Sequence, residues 1–413
     1  MNSMSHILER ETPIRSLGIL DKIKLICVIY LSVWVTSPFL AYGTGYRILA
    51  LGSMLLWIFL ELFEKRSIIL RPTSYILVLY FFLLYTMSVG YLADGISSIT
   101  RNIQFYIMLF FIFIYASYSR KSLAILRPVV YLNIVLFTVW MWTTYSVLLE
   151  NSHAARYVIR SGEEARVLTQ KGVGGFTFIY SLLIYIIAVL ALVKRRIKEG
   201  KLLSPITLFM IFSIVLAILV VLKAEYSTAV LLMVFSLFFF LFYSDSIQKN
   251  IIMFFSMFLL FIALKYYLID ILRMLQPYAE GTNYSHKISD TIISIQQGAA
   301  TGTAEDRIER YIRSFHLFLD HPLSGVWSIE NIGKHSLVLD TFAQFGIFAG
   351  LLLLYILLSI PYRLYRYGTR NKNLKLTILF LTIALISLNN VAMAYGLMFY
   401  IFYPVILERL EHA

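Results

Sequence analysis

Residues 194–222 read KRRIKEGKLLSPITLFMIFSIVLAILVVL. A knot of Lys and Arg gives way at Ser204 to a run that carries no charge as far as Leu222. At about 1.5 Å of helical rise per residue, that run is long enough to cross the roughly 30 Å hydrocarbon core of a bilayer. It shows neither the helical nor the alternating periodicity by which a soluble element turns one face to water. The basic flank is the kind of loop that is retained on the cytoplasmic side.

The same pattern recurs along the chain. Apolar runs stand at 22–40, 46–63, 73–93, 99–118, 123–149, 173–193, 204–222, 226–243, 250–268, 336–360, 375–390 and 394–408, parted by charged residues, Gly or Pro. The last two are short and meet at Asn389-Asn390, so one kinked helix in their place, and eleven spans in all, is an open alternative. With the N-terminus inside, most of the 36 Lys and Arg fall in cytoplasmic segments, including Lys194-Arg195-Arg196 and the stretch from Arg363 to Lys375. The expected fold is an all-α polytopic membrane protein of about 12 transmembrane helices, with N- and C-termini cytoplasmic and one large, partly helical outer loop. Residues 1–268 hold the first nine spans and a smaller outer loop at 150–172. Residues 269–335 form the large outer loop, and 336–413 the last three spans.

Composition agrees. Hydrophobic residues make up 59% of the 413 and charged residues 14%, with a mean hydropathy of +0.77. A soluble domain must wet its exterior and could not hide so much apolar surface. The net charge of +13 would point to nucleic acid in a soluble protein. Here it follows from topology, and no nucleic-acid partner is expected. Cys27 is the single cysteine, which excludes a disulfide or a thiolate metal site within one chain. The first apolar run, Ile23 to Leu40, reads as a retained helix, since no small-residue cleavage site follows it.

Basic residues on the outer side are the anomaly. Arg156, Arg160, Arg166 and Lys171 lie in 150–172; Arg273, Lys287, Arg307, Arg310, Arg313 and Lys334 lie in 269–335. One reading is simple balance against Glu163, Glu164, Asp290, Glu305, Asp306 and Glu309. The other is an outward-facing site for an anionic substrate, for which forked guanidinium groups are well suited. Within the large loop, Thr303-Ala304-Glu305-Asp306 reads as a helix start with Thr303 as N-cap. Ile308, Tyr311, Ile312, Phe315, Phe318 and Leu319 then recur as one apolar stripe until Asp320-His321-Pro322 ends the helix. Arg307 borders the stripe, Arg310 lies one step further round and Arg313 faces away.

Pro322-Leu323-Ser324-Gly325 reads as a turn, and His335 stands at the outer entry of the next span. Ser336, Asp340 and Gln344 follow at i, i+4, i+8. Such a polar stripe in an apolar span is either functional or a set of caps and interhelical hydrogen bonds. Gly346 and Gly350 fit the small-xxx-small pattern of close helix packing. His316 and His321 read as structural. The set His316, Asp320, His321 and His335 matches no metal-ligand spacing, and no Walker loop, dinucleotide fingerprint or HExxH motif is present.

The order Asp306-Arg307, Tyr311, His321-Pro322-Leu323-Ser324-Gly325-Val326, His335-Ser336, Asp340, Phe342-Ala343 and Gly346 resembles the bacterial O-antigen and capsular polysaccharide polymerases and the related O-antigen ligases. The motifs cover roughly 50 residues, and the many-helix layout with a late outer loop is similar over the whole chain. The resemblance implies a GT-C-like fold with a periplasmic active site in the bacterial inner membrane. It implies inverting glycosyl transfer from an undecaprenyl-diphosphate-linked glycan donor to a second such glycan as acceptor, with no cofactor and no metal. A flippase and a chain-length regulator of the same pathway are the implied partners. By the same resemblance His335 is the base and Arg307 a diphosphate ligand. From the outer basic residues, the polar stripe and the mid-chain cation, Arg310, Arg156, Arg160, Arg166, Lys223, Lys334, Ser336 and Asp340 are the candidate substrate-binding residues.

Ligases also carry a Ser-Arg pair opening a helix near mid-chain. Here that region reads Lys223-Ala224-Glu225-Tyr226-Ser227-Thr228, without that Arg; Lys223 is the available substitute, and the missing pair favours a polymerase. A ligase with a lipid A core acceptor is the second reading. A lipid-linked oligosaccharide flippase is the third, although transport predicts functional charges near mid-membrane rather than in an outer loop.

Overall fold

The computed structural model describes residues 17–42, 44–158, 162–244, 246–297, 303–327, 332–366, 370–388 and 393–411. Every regular element among them is helical. In chain order they are α1 (Ile19–Thr36), α2 (Pro38–Tyr42), α3 (Thr44–Leu62), α4 (Ser74–Asp94), α5 (Ile96–Arg101), α6 (Ile103–Ser119), α7 (Arg127–Glu150), α8 (Ala154–Tyr157), α9 (Glu163–Gln170) and α10 (Phe176–Lys198). There follow α11 (Pro205–Lys223), α12 (Ser227–Phe242), α13 (Ile247–Leu275), α14 (Asn283–Gln297), α15 (Thr303–Asp320), α16 (Leu337–Arg366), α17 (Lys372–Leu388), α18 (Met393–Leu397) and α19 (Tyr403–Glu411). A π-helical turn, Met398–Phe402, joins the last two.

Each of the twelve apolar runs overlaps a helix. Among the described residues, six helices are long and apolar enough to cross a membrane: Gly45–Leu62, Ser74–Asp94, Leu123–Glu150, Phe176–Lys198, Pro205–Lys223 and Leu337–Arg366. Ile103–Ser119 and Ser227–Phe242 are shorter apolar helices. The chain is thus all-helical with the character of a multi-pass membrane protein. Large apolar side chains point outward at helical spacing, as at Leu77, Phe81 and Leu84 on α4 or Leu231 and Val234 on α12. Water would penalise these rows, whereas lipid solvates them. α10 is instead buried along most of its length, packed against α11, α12, α17, α18 and α19. A helix that is apolar all round belongs at the centre of such a bundle. Both α17 and α18 lie on α10, but α17 packs mainly on α16 and α12 and α18 mainly on α6. Asn389 and Asn390 lie outside the described residues.

The two segments read as outer loops in the sequence are more helical than expected. The loop at 150–172 holds α8 and α9, and the large loop holds α14 ahead of the expected α15. α15 begins at Thr303 itself rather than after it. Its single apolar stripe resolves into two. Ile308, Ile312, Phe315 and Leu319 are exposed along one flank, whereas Tyr311 and Phe318 share the inward face with Arg307 and the fully buried Ser314. Phe318 meets Phe342 of α16 edge-on at 5.2 Å.

α16 is broken at Gly346, where φ is +77° and ψ −176°. A break at membrane depth strands backbone groups, and non-helical backbone survives there only when protein satisfies it. The turn after α15 does so. Val326 N–H donates to Ala343 O and Trp327 N–H to Gln344 O, both at 2.9 Å, while Ile347 N–H donates to Pro322 O at 2.8 Å. Tyr85 Oη from α4 donates to Phe345 O at 3.1 Å. Gly346 is therefore the seat of a helix break rather than of close helix–helix packing: a Cβ there would collide with Leu323 O. Gly350 is crowded by Phe342 of its own helix.

Gly346→Ala combines an unfavourable φ with a backbone clash, a destabilisation of about 2–4 kcal/mol. Its thermal midpoint in detergent should fall clearly below wild type, whereas Gly45→Ala, with open space around the new Cβ, should melt as wild type does. Equal midpoints for all three proteins would show that the break is not required.

Candidate functional site

The site begins with how α16 starts. Ser336 Oγ accepts Leu339 N–H at 3.2 Å, as an N-cap does. Asp340, one turn in, accepts Ser314 Oγ of α15 at 2.7 Å, and Lys334 N–H and Ser336 N–H at 3.2 Å each. Ser314 Oγ in turn accepts Gly333 N–H at 2.8 Å. A Cβ at Gly333 would strike the Arg310 carbonyl, so the Gly333–Ser336 segment lies directly on α15. His335 is held between these anchors, beside Arg307 and Arg310. Lys334, at φ +61°, is exposed.

A second group gathers where α12 starts. Glu225, buried and at φ +57°, turns its carbonyl towards two cations: Arg156 Nη2 and Lys287 Nζ each donate to it at 2.7 Å. Lys287 Nζ also donates to Ser227 Oγ at 2.9 Å. The Arg156 guanidinium lies 5.4 Å from the Tyr226 ring centroid, and Tyr226 Oη donates to Ala155 O at 3.1 Å. Arg156 Nε is buried and has no hydrogen-bond acceptor among the described residues, which leaves a donor open. Lys287 lies 5.6 Å from the Tyr284 ring, whose hydroxyl donates to Leu222 O at 3.0 Å. Arg307 reaches across from α15 to donate to Thr228 Oγ1 at 2.6 Å.

Arg307 is common to both groups, and the electrostatics show it. Burial, then Arg156 and Arg307, push the Lys287 ammonium down to about 8, against the pull of Glu225. Burial, then Arg310 and Arg307, hold His335 below the usual histidine range, with Asp306 opposing. His335 is therefore neutral at pH 7 and able to accept a proton. Side chains from α8, α14, α15 and the α16 entry thus form one cationic cluster, called the His335 cleft below, with a neutral imidazole at one side and the start of α12 at the other.

Of the residues singled out in the sequence, His335, Arg307, Arg310 and Arg156 come together here. Ser336 and Asp340 support the segment: their polar atoms cap α16 and tie it to α15. Lys223 ends α11 exposed, and Arg166 is exposed on α9. Arg160 lies outside the described residues. Gln344 Nε2 donates to Trp327 O at 3.3 Å, beside the helix break. His316 and His321 are exposed. Among the described residues no three His, Cys, Asp or Glu side chains gather as a metal site. Sequence reading missed Lys287 as a member of the site. The available signal was the amphipathic pattern of Lys287, Ile288, Ile292 and Ile295, which would have placed it on a helix.

No family model and no curated protein matches the chain.

Below pH 8 Lys287 is protonated and adds to the attraction for anions; above it that charge is lost. Inorganic pyrophosphate binding to the purified protein, followed by calorimetry, should weaken about tenfold from pH 7 to pH 9.5, the scale of one lost charge contact in a partly exposed cleft. In Lys287→Arg that decline should disappear. The same decline in both proteins would assign the pH dependence to another group.

Proposed function

We propose that the chain is a membrane glycosyltransferase that joins undecaprenyl-diphosphate-linked oligosaccharide units into O-antigen or capsular polysaccharide, at the periplasmic face of a bacterial inner membrane. About a dozen spans with both termini cytoplasmic belong to the same proposal. The observation that carries it is that α15 bridges the two groups: Arg307 donates to Thr228 at the start of α12, where Arg156 and Lys287 share the Glu225 carbonyl, while the segment that holds His335 lies on the same helix at Arg310.

The chemistry follows from that juxtaposition. His335, kept neutral by burial and by Arg310 and Arg307, takes the proton of an acceptor sugar hydroxyl. The freed oxygen forms a bond to the anomeric carbon of the donor glycan. The bond from that carbon to the lipid diphosphate breaks, and its electron pair leaves with the diphosphate. Arg307, Arg156, Arg310 and Lys287 offset the charge that grows there, and fixed guanidinium groups in a partly dry cleft do this without reorganising. Attack from the side opposite the leaving group inverts the anomeric centre. The exposed apolar flank of α15, at Ile308, Ile312, Phe315 and Leu319, lies beside Arg307 and suits a helix resting on lipid, from which a lipid-linked donor would enter.

A ligase is the second reading, and one observation favours it. The start of α12 lacks its own Arg, yet Lys287 and Arg156 bring cations to it. The absent Ser-Arg pair therefore weighs less against a ligase than the sequence suggests.

Deleting the gene in its host and resolving the surface polysaccharide on a gel separates the readings. A polymerase predicts loss of long chains with single units still attached to lipid A; a ligase predicts loss of every attached unit. With purified protein and lipid-diphosphate-linked units, His335→Ala should slow chain growth by about a hundredfold or more, the scale of a lost general base. Arg307→Ala should lower donor binding as well as turnover. Undiminished growth with His335→Ala would remove His335 as the base.

A further inference from the structure

The bundle has a second cationic site, at the end opposite His335. α12 starts at the cleft and, at 1.5 Å per residue, ends about 24 Å away. α10 likewise starts next to Tyr226, with the Phe176 and Tyr226 rings 5.7 Å apart, and ends in Lys194, Arg195, Arg196 and Lys198. Where these two helices finish, beside the starts of α13 and α17, there is a cavity of about 900 Å³. Lys194, Arg195, Lys198, Lys249, Arg370 and Lys372 line it. Among the described residues Glu199 is the only acid that lines it, and it is already engaged by Arg195 Nε at 2.7 Å and Lys201 Nζ at 3.0 Å. Loops on this side are basic for topological reasons, but a topological signal needs only charge in a short loop. It does not need six cations from three chain segments facing one void.

The walls of the void identify the occupant. Phe240 closes its inner side, with Lys194 Nζ 5.5 Å from the ring centroid and Asn373 Nδ2 donating to the Phe240 carbonyl at 2.8 Å. Its outer lip is Leu241 and Phe242, both more than half exposed. Leu231, Val234 and Leu241 repeat at helical spacing, so the exposed apolar face of α12 leads straight into the cavity. An inorganic phosphate is far too small to fill such a volume and gains nothing from this lane. A headgroup with one or two phosphodiesters and attached acyl chains uses both features.

We infer that this cavity binds an acidic glycerophospholipid, its phosphate among the basic residues at the ends of α10 and α17 and its acyl chains along the outer face of α12. The inference is independent of the glycosyl-transfer reading, since none of these residues belongs to the His335 cleft. A bound lipid would brace the far ends of the same helices, α10 and α12, whose near ends shape that cleft.

The test is lipid titration of the purified full-length protein in detergent, read by native mass spectrometry. The probes are phosphatidylglycerol, phosphatidylcholine and free glycerol phosphate. Wild type should hold phosphatidylglycerol at least tenfold more tightly than phosphatidylcholine, and glycerol phosphate should not compete. Lys198→Gln/Lys249→Gln/Arg370→Gln should lose the preference, while Lys198→Arg/Lys249→Arg should keep it. If the triple variant does not melt cooperatively without lipid, Lys198→Gln/Lys249→Gln, altered only at exposed side chains, is read instead. Equal binding of the two lipids, competition by glycerol phosphate at lipid-like concentration, or an undiminished preference in the neutral variants would each overturn the inference.

Discussion

The cleft depends on one buried carboxylate. Asp340 sits one turn inside α16 and accepts hydrogen bonds from Ser314 on α15 and from the backbone of Lys334 and Ser336. It thus joins α15, the segment from Gly333 to Ser336 and α16 at a single point. His335 lies between two of its donors, so the imidazole is positioned by contacts that it does not itself make. Removing the carboxylate would strand three donors, each worth about 1–3 kcal/mol when buried without a partner. A few residues further along, the Gly346 break and the turn at 322–327 satisfy one another's backbone groups. These two links fix α15 against α16, and that fixes Arg307 and Arg310 relative to His335.

The other half of the cleft is built from the opposite direction. The left-handed turn at Glu225 presents its carbonyl to Arg156 and Lys287. Burial first, and the neighbouring guanidinium groups second, lower Lys287 and His335, so part of that depression is the electrostatic cost of collecting so many cations. A bound anion would relieve that repulsion, so the cleft is organised for negative charge before any arrives. α10, buried through most of its length, gives these groups a rigid backing.

Much of this was legible in the sequence. All twelve apolar runs overlap helices, because hydrocarbon-length runs leave a chain few other options. α15 could be read from its capping residues and spacing, and the inward course of Arg307 from its angle on that helix. The split of the α15 stripe could not, since a residue list does not say which flank meets protein and which meets lipid. Asp340 and Ser336 fitted two readings, function or capping, and their partners lie on the capping side. Gly346 was read as a packing glycine because small-residue spacing is identical for a close contact and for a helix break; only its φ of +77° separates them. Lys287 stood among the basic residues of 269–335 without being assigned to the site, because its role arises from Glu225, 62 residues away in the chain. The two-ended arrangement of cations was likewise invisible, since basic loops are expected on topological grounds alone.

The central claim is that the cleft between His335 and the start of α12 receives a lipid diphosphate. Photo-crosslinking tests it most directly, using an undecaprenyl diphosphate probe with a diazirine in its first isoprene unit, followed by mass-spectrometric mapping on purified protein. The account predicts adducts on the segments around Tyr226, Lys287 and Tyr311, competed by unlabelled undecaprenyl diphosphate and strongly reduced in Arg307→Ala. Adducts confined to other helices, or labelling of these segments that neither the competitor nor Arg307→Ala diminishes, would contradict it.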